Sequence, residues 1–170
     1  MRTRLARPTQ RKEQEFLRAV HRSRRLHRNR VTPPDSSARY REYLKAARRK
    51  NQESFFILNR VTGELAGVVN ISGIILGYFK SAFLGYYAFL PHAGSGLMKD
   101  GLTQAINYAF LELKLHRLEA NILPDNKRSK GLVESLGFRL EGYSPRYLKI
   151  CGRWRDHERW AILTEEWKIS

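Results

Sequence analysis

The sequence predicts a single α+β domain over residues 1–170, and three observations carry that expectation. A chain of 170 residues fits one domain more naturally than two, and 42% apolar residues suffice for a sizeable core. The hydrophobic period changes along it, from helical spacing in the first fifty residues to strand-like runs up to Leu90. A long helical stretch, a strand, a short helix and a closing hairpin then follow, with no internal repeats, low-complexity tracts or linkers.

Thr3 to Pro8 reads as a short first strand. From Gln10 to about Asn29, Phe16, Leu17 and Val20 fall on one side of a helix and a dense Arg set elsewhere. Pro33-Pro34 ends it. Asp35 and Ser36 are N-cap types for a second helix, with Tyr40, Tyr43, Leu44 and Ala47 on one face. Phe55 to Leu58, Leu65 to Ile75 and Ala82 to Phe89 are buried-type strands separated by the turns Val61–Glu64 and Gly77. After Leu90 the loop Pro91-His92-Ala93-Gly94-Ser95-Gly96 opens a long helix. Leu102, Ala105, Ile106, Ala109, Phe110 and Leu113 make its apolar face. His116 to Leu123 alternates like a strand, Asp125 or Asn126 caps a short helix through Ser135, and Gly137 stops it. Phe138 to Ile150 and Arg153 to Leu163 form the closing hairpin around Cys151-Gly152.

Charge is concentrated. The formal net charge is +16, and residues 1–50 hold 17 Lys/Arg against four Asp/Glu while residues 51–120 hold five of each. Such a segment is either a solvated helical face or a surface for a polyanion such as RNA or a ribonucleoprotein. The same excess argues against polycationic acceptors and favours anionic ligands. One cysteine, Cys151, excludes an internal disulfide and a Cys-rich zinc site, which suits a reducing compartment. The start lacks a signal-peptide core and no run reaches the roughly 18 apolar residues of a membrane span, so a soluble, cytoplasmic protein without membrane contact is expected. The histidines have no metal spacing, and no metal is expected.

Gly94-Ser95-Gly96 stands between a strand end and a helix start, where free N–H groups and a partial positive charge favour an anion. No Gly-Lys-Ser/Thr follows it, and it lacks the third glycine of a dinucleotide fingerprint. By itself it is equally a tight strand-to-helix turn. Downstream, Asn126-Lys127-Arg128-Ser129 opens the next helix and Leu136-Gly137-Phe138-x-x-Glu141-Gly142-Tyr143 follows. Gly152-Arg153-Trp154-Arg155-Asp156-His157 forms the last hairpin. Together with Gly94-Ser95-Gly96-Leu97-Met98, these motifs resemble the GNAT acetyltransferase superfamily, and within it the ribosomal-protein alanine N-acetyltransferase (RimJ/RimL-like) group. The resemblance runs from about Thr3 to Leu163.

It implies the GNAT acyl-CoA N-acyltransferase fold, a mixed sheet flanked by helices and split in a V between the strands ending at Leu90 and Leu123. Acetyl-CoA would lie in the split, its pantetheine arm against the main chain of Phe89 and Leu90 and its pyrophosphate on the N–H groups of Gly94, Ser95, Gly96 and Leu97. A strand-like amide arm wants an unpaired edge, and a diphosphate wants a glycine-bounded helix start. Pro91 stands where the family often has Arg or Gln, with His92 a candidate replacement contact to phosphate. Asn126 is a cap that also orients the cofactor, or a cap alone.

The implied reaction moves acetyl to a primary amine, most simply a protein N-terminal α-amine, which must lose a proton while the thiolate gains a hydrogen bond. The Tyr that many relatives place four residues before Gly-Phe is Val133 here. Ser129 is then the hydroxyl for the thiolate, or a helix-start residue bonded to the backbone. Asn121 stands where some N-terminal acetyltransferases carry Glu. Glu119, of the same parity as Asn121 on one strand, is the favoured base. Against it stands the reading of Glu119 as an ion-pair partner of an Arg. Glu64, Asp156, His157 and Glu158 remain, as does a water chain, since an α-amine has a pKa of only about 8. His157 reads as a hairpin-surface residue. Two further readings stay open: a non-catalytic ribosome- or RNA-associated protein of this fold, and a small-molecule amine acetyltransferase.

Overall fold

The computed structural model describes residues 1–168. Its strands are β1 (Thr3–Ala6), β2 (Gln52–Asn59), β3 (Leu65–Ile75), β4 (Ser81–Ala88), β5 (Arg117–Ile122), β6 (Arg139–Ile150) and β7 (Arg153–Leu163). Its α-helices are α1 (Glu13–Arg22), α2 (Arg24–His27), α3 (Ser37–Ala46), α4 (Leu97–Leu111) and α5 (Lys127–Glu134). The strands form one sheet in the order β1-β2-β3-β4-β5-β7-β6, antiparallel throughout except where β4 lies parallel to β5. This is the mixed, helix-flanked sheet expected.

Each face of the sheet has its own core. Leu102, Ala105, Ile106 and Ala109, the apolar stripe of α4, pack with Ile57, Ile71, Leu118 and Ile162 of the strands and Val133 of α5. On the opposite face Phe16 of α1 and Tyr40 of α3 close over Phe56, Val68 and Phe89. Phe16 stacks on Phe56 and meets Phe89 edge-on, the arrangements ring quadrupoles favour. A Cβ at Gly101 would come within 2.6 Å of Ile57, so glycine lets α4 lie close on β2.

Two boundaries differ from expectation for local reasons. The first strand stops at Ala6, since Pro8 has no N–H for a ladder. The expected helix from Gln10 to Asn29 is a 3₁₀ turn followed by α1 and α2, which part at Ser23. The fully buried Ser23 turns its Oγ to accept the Leu90 N–H at 2.9 Å, tying the helical layer to the end of β4. Ser36 caps α3 by accepting the Arg39 N–H, whereas Asp35 pairs with the Arg39 guanidinium. Among the described residues, no helix is long and apolar enough to cross a membrane.

Candidate active site

The parallel pairing of β4 with β5 covers only Ser81, Ala82 and Phe83 against Arg117, Leu118 and Glu119. Beyond it the strands diverge, because β4 continues into the loop at α4 while β5 stays bonded to β7 as far as Ile122. The gap opens a cleft of two lobes that share Arg30, Val31, Tyr86, Tyr87, Asn126 and Ser129 in their walls. The outer lobe, about 1020 Å³, reaches Gly94, Gly96 and the first turn of α4. Arg25, Arg30, Lys99, Lys127 and Arg128 line it, with Asp125 as the one carboxylate. The inner lobe, about 250 Å³, is walled by Asn70, Gly85, Asn121, Leu148, Ile150 and His157, among others, and by no carboxylate.

The glycine loop leaves amides free at a helix start. Gly94 and Gly96 both adopt φ +84°, a conformation that L side chains resist, and Gly96 is the N-cap of α4. The amides of Gly94, Gly96 and Leu97 have no acceptor among the described residues, as expected of a helix start. Ser95 differs: its N–H and Oγ both turn back to the His92 carbonyl, at 3.2 and 2.6 Å. Its carbonyl accepts from the Arg2 guanidinium at 2.9 Å, and a Cβ on Gly96 would approach that guanidinium to 2.6 Å. Arg2 thus places a guanidinium beside the loop, from a stretch that sequence spacing could not connect to it.

The open edge of β4 is one residue out of phase with the expectation. The Phe89 N–H donates to Ala66 of the β3 side at 2.8 Å, and the Phe89 side chain is buried in the second core. The Leu90 N–H is taken by Ser23 and its carbonyl accepts from Arg22 at 2.7 Å. Peptide groups alternate along a strand, so Tyr86 and Ala88 turn their main chain to the split. The Ala88 carbonyl accepts from His27 Nε2 at 2.8 Å. Burial holds His27 below the usual imidazole pKa, opposed by that bond, and its buried Nδ1 has no partner.

At the junction of the lobes the Tyr86 hydroxyl lies 2.6 Å from Ser129 Oγ and 3.2 Å from the Ser129 carbonyl. Burial pushes the Tyr86 pKa up to about 12, partly offset by the Ser129 hydroxyl, so the phenol stays protonated near neutrality. Asn126 caps α5 by accepting the Ser129 N–H at 3.3 Å while lining both lobes, which makes it cap and wall together.

Of the candidate bases, only His157 lines the cleft. Glu119 does share a face with Asn121, but it lies where β4 and β5 are still paired. There it meets Arg117, which also grips Glu141, at 2.9 Å. Glu158 is held by Lys130 and the Trp160 indole, and Asp156 accepts from Tyr143 and the Arg146 N–H. Glu64 lies 3.0 Å from His92 Nε2, a proximity without hydrogen-bond geometry, and His92 turns toward it instead of lining the cleft. His157 is only 2% exposed, not a surface residue. Its polar neighbours in sequence concealed this, because Arg30 and Val31, which share the wall of its lobe, come from the distant α2–α3 connection.

The family profile described as "Acetyltransferase (GNAT) domain" matches residues 2–139. The ribosomal protein uS5-alanine N-acetyltransferase of Escherichia coli is 44% identical over 104 residues, 61% of this chain and 54% of that protein. The chain therefore spans about half the length of that relative. "Probable N-acetyltransferase YjcK" of Bacillus subtilis is 37% identical over 128 residues, 75% of this chain and 71% of its own. Among solved structures, Mycobacterium smegmatis RimJ in complex with CoA-disulfide superposes with a TM-score of 0.87 at 27% identity, covering 96% of this chain and 83% of that one.

Proposed function

The chain belongs to the GNAT acetyltransferase family, and from that membership we propose that it transfers acetyl from acetyl-CoA to the N-terminal α-amine of a protein, of the ribosomal class. The observation that carries the reading is the pair of positive-φ glycines presenting unpartnered amides at the mouth of an open strand edge. Gly94, Gly96 and Leu97 would hold the pyrophosphate through their N–H groups, Ser95 shaping the loop between them. Arg2, Lys99 and Lys127 add positive charge around it, and the Tyr86 main chain with the Ala88 N–H offers the edge for the pantetheine amides. When bound, acetyl-CoA supplies the activated acyl group. The chain supplies orientation, a main-chain N–H of the open edge toward the carbonyl oxygen, and the Ser129 hydroxyl, backed by Tyr86, toward the leaving sulfur.

The acceptor reading rests on charge and on the uS5-modifying relative. A polyamine would meet no carboxylate in the inner lobe, whereas a single terminal amine with a small side chain needs none. The exposed arginines of α1 and α2 would draw the enzyme to an RNA-rich surface on which such an N-terminus is displayed. The setting is a reducing, cytoplasmic one, where the exposed Cys151 stays a thiol. Incubation with acetyl-CoA and a panel of N-terminal peptides, following free thiol, tests this. Peptide-dependent release is expected; release with polyamines and none with peptides would overturn the acceptor assignment.

A further inference from the structure

The proposed cofactor contacts leave Asn121 and His157 of the inner lobe unused. Asn121 Oδ1 is buried and has no hydrogen-bond partner, and an orphaned acceptor of this kind is destabilising unless a ligand satisfies it. His157, 2% exposed, has its Nδ1 2.9 Å from the Arg155 carbonyl. A ring nitrogen facing a carbonyl must carry the proton, so the neutral ring keeps its lone pair on Nε2. The two residues share a sheet face: Asn121 pairs with Arg159 across β5 and β7, and His157 is two positions from Arg159. Asn70 and Gly85 pair on the same lobe's wall, and a Cβ on Gly85 would meet nothing within 4 Å, so the space above them is open.

We propose that His157 is the proton acceptor of the reaction and that Asn121 Oδ1 holds the attacking amine. This deepens the acetyltransferase reading and rests on it. The amine nitrogen forms its bond to the acyl carbon as the carbon–sulfur bond breaks. Its proton passes to His157 Nε2, and the sulfur leaves as a thiolate beside the Ser129 hydroxyl. The amine must arrive unprotonated or lose its proton in the lobe, and the surroundings favour neutrality. Arg30 from the α2–α3 connection lines the same lobe, Arg159 stands on the same face of β7, and Tyr147 of β6 meets the imidazole edge-on at 6.3 Å. No carboxylate lines the lobe to stabilise a cation. The apolar lining of the lobe includes Val31, Leu148 and Ile150, which suits a small uncharged first residue.

The test compares the unaltered protein with His157→Asn and His157→Gln. The Asn variant keeps a donor for the Arg155 carbonyl and lacks Nε2; the Gln variant places a non-basic amide near Nε2. Melting shifts with CoA establish that each variant is folded and binds. Below the ionisations of the base and of the amine, log kcat/KM of the unaltered protein should fall with a slope of about two. In a folded variant the slope drops to about one and kcat/KM near neutrality falls about 10²-fold. Thiol release with an unchanged slope and rate in the variants overturns the inference alone. No release by the unaltered protein with any peptide overturns the acetyltransferase reading and this inference with it.

Discussion

The Ser129 and Tyr86 hydroxyls lie 2.6 Å apart where the two lobes of the cleft share a wall. Ser129→Ala is expected to lower kcat about 10²-fold, the usual loss of one donor to developing charge, with CoA affinity nearly unchanged. A loss confined to CoA binding would assign Ser129 to the cofactor instead. Gly85 gives an independent handle. Its φ is not in the left-handed region and its Cβ position is open, so Gly85→Val should fold, fill the inner lobe and raise KM for the peptide while sparing CoA. The strand-to-helix turn at Gly94-Ser95-Gly96 and the Asn126 cap were legible from residue type and spacing, whereas a role for either toward a cofactor, and for the Ser129 hydroxyl toward sulfur, came only from the family resemblance. Glu119 did not resolve itself, because parity gives the face of a strand but not how far along it the neighbouring strand stops pairing. His157 was concealed because burial of a hairpin residue is decided by what folds over it.

At the scale of elements, the pairing phase of β4 was the least readable feature. Which peptide groups face the gap depends on the register with β3, and the Phe89 N–H turned out to point away from it. The helices were easier, since the apolar stripe of α4 and the Ser36 cap follow from periodicity and side-chain chemistry. Two ties hold these elements around the cleft. Thr3 donates its N–H at 2.8 Å and its hydroxyl at 2.5 Å to Asp100, fixing β1 on the first turn of α4 just behind the glycine loop. Thr3→Val should cost about 1 kcal/mol and lower Tm by about 3 °C in scanning calorimetry. An unchanged Tm would mean that the tie contributes nothing net. The second tie is His27, which joins α2 to β4. Its pKa is lower folded than unfolded, so the unfolded chain binds the extra proton first. Stability from His27 is therefore whole above the ordinary imidazole value of about 6.5 and is lost as pH falls toward the folded value. Tm against pH should flatten in this window for His27→Gln; parallel curves would contradict it.

Over the whole molecule, charge and sheet topology work together. The +16 net charge is borne largely by the helical layer formed by the first fifty residues, and Arg25 and Arg30 carry it to the mouth of the cleft. Retention on ribosomes or RNA should therefore fall steeply as salt rises from about 50 to 200 mM. Salt-insensitive or absent retention would leave the arginines as a solvated face. The fold itself was legible because its period changes, loop and hairpin are local signals, whereas the cleft arises from the early end of the β4–β5 ladder. The account depends above all on that cleft receiving CoA through the amides of the glycine loop. Titration calorimetry of CoA into the protein and into Gly96→Val tests it most directly, since the new side chain would be strained at φ +84° and would strike Arg2. Saturable binding by the unaltered protein, lost in the variant, is the expected result; no heat with the unaltered protein at millimolar CoA, or equal affinity in the variant, would contradict it.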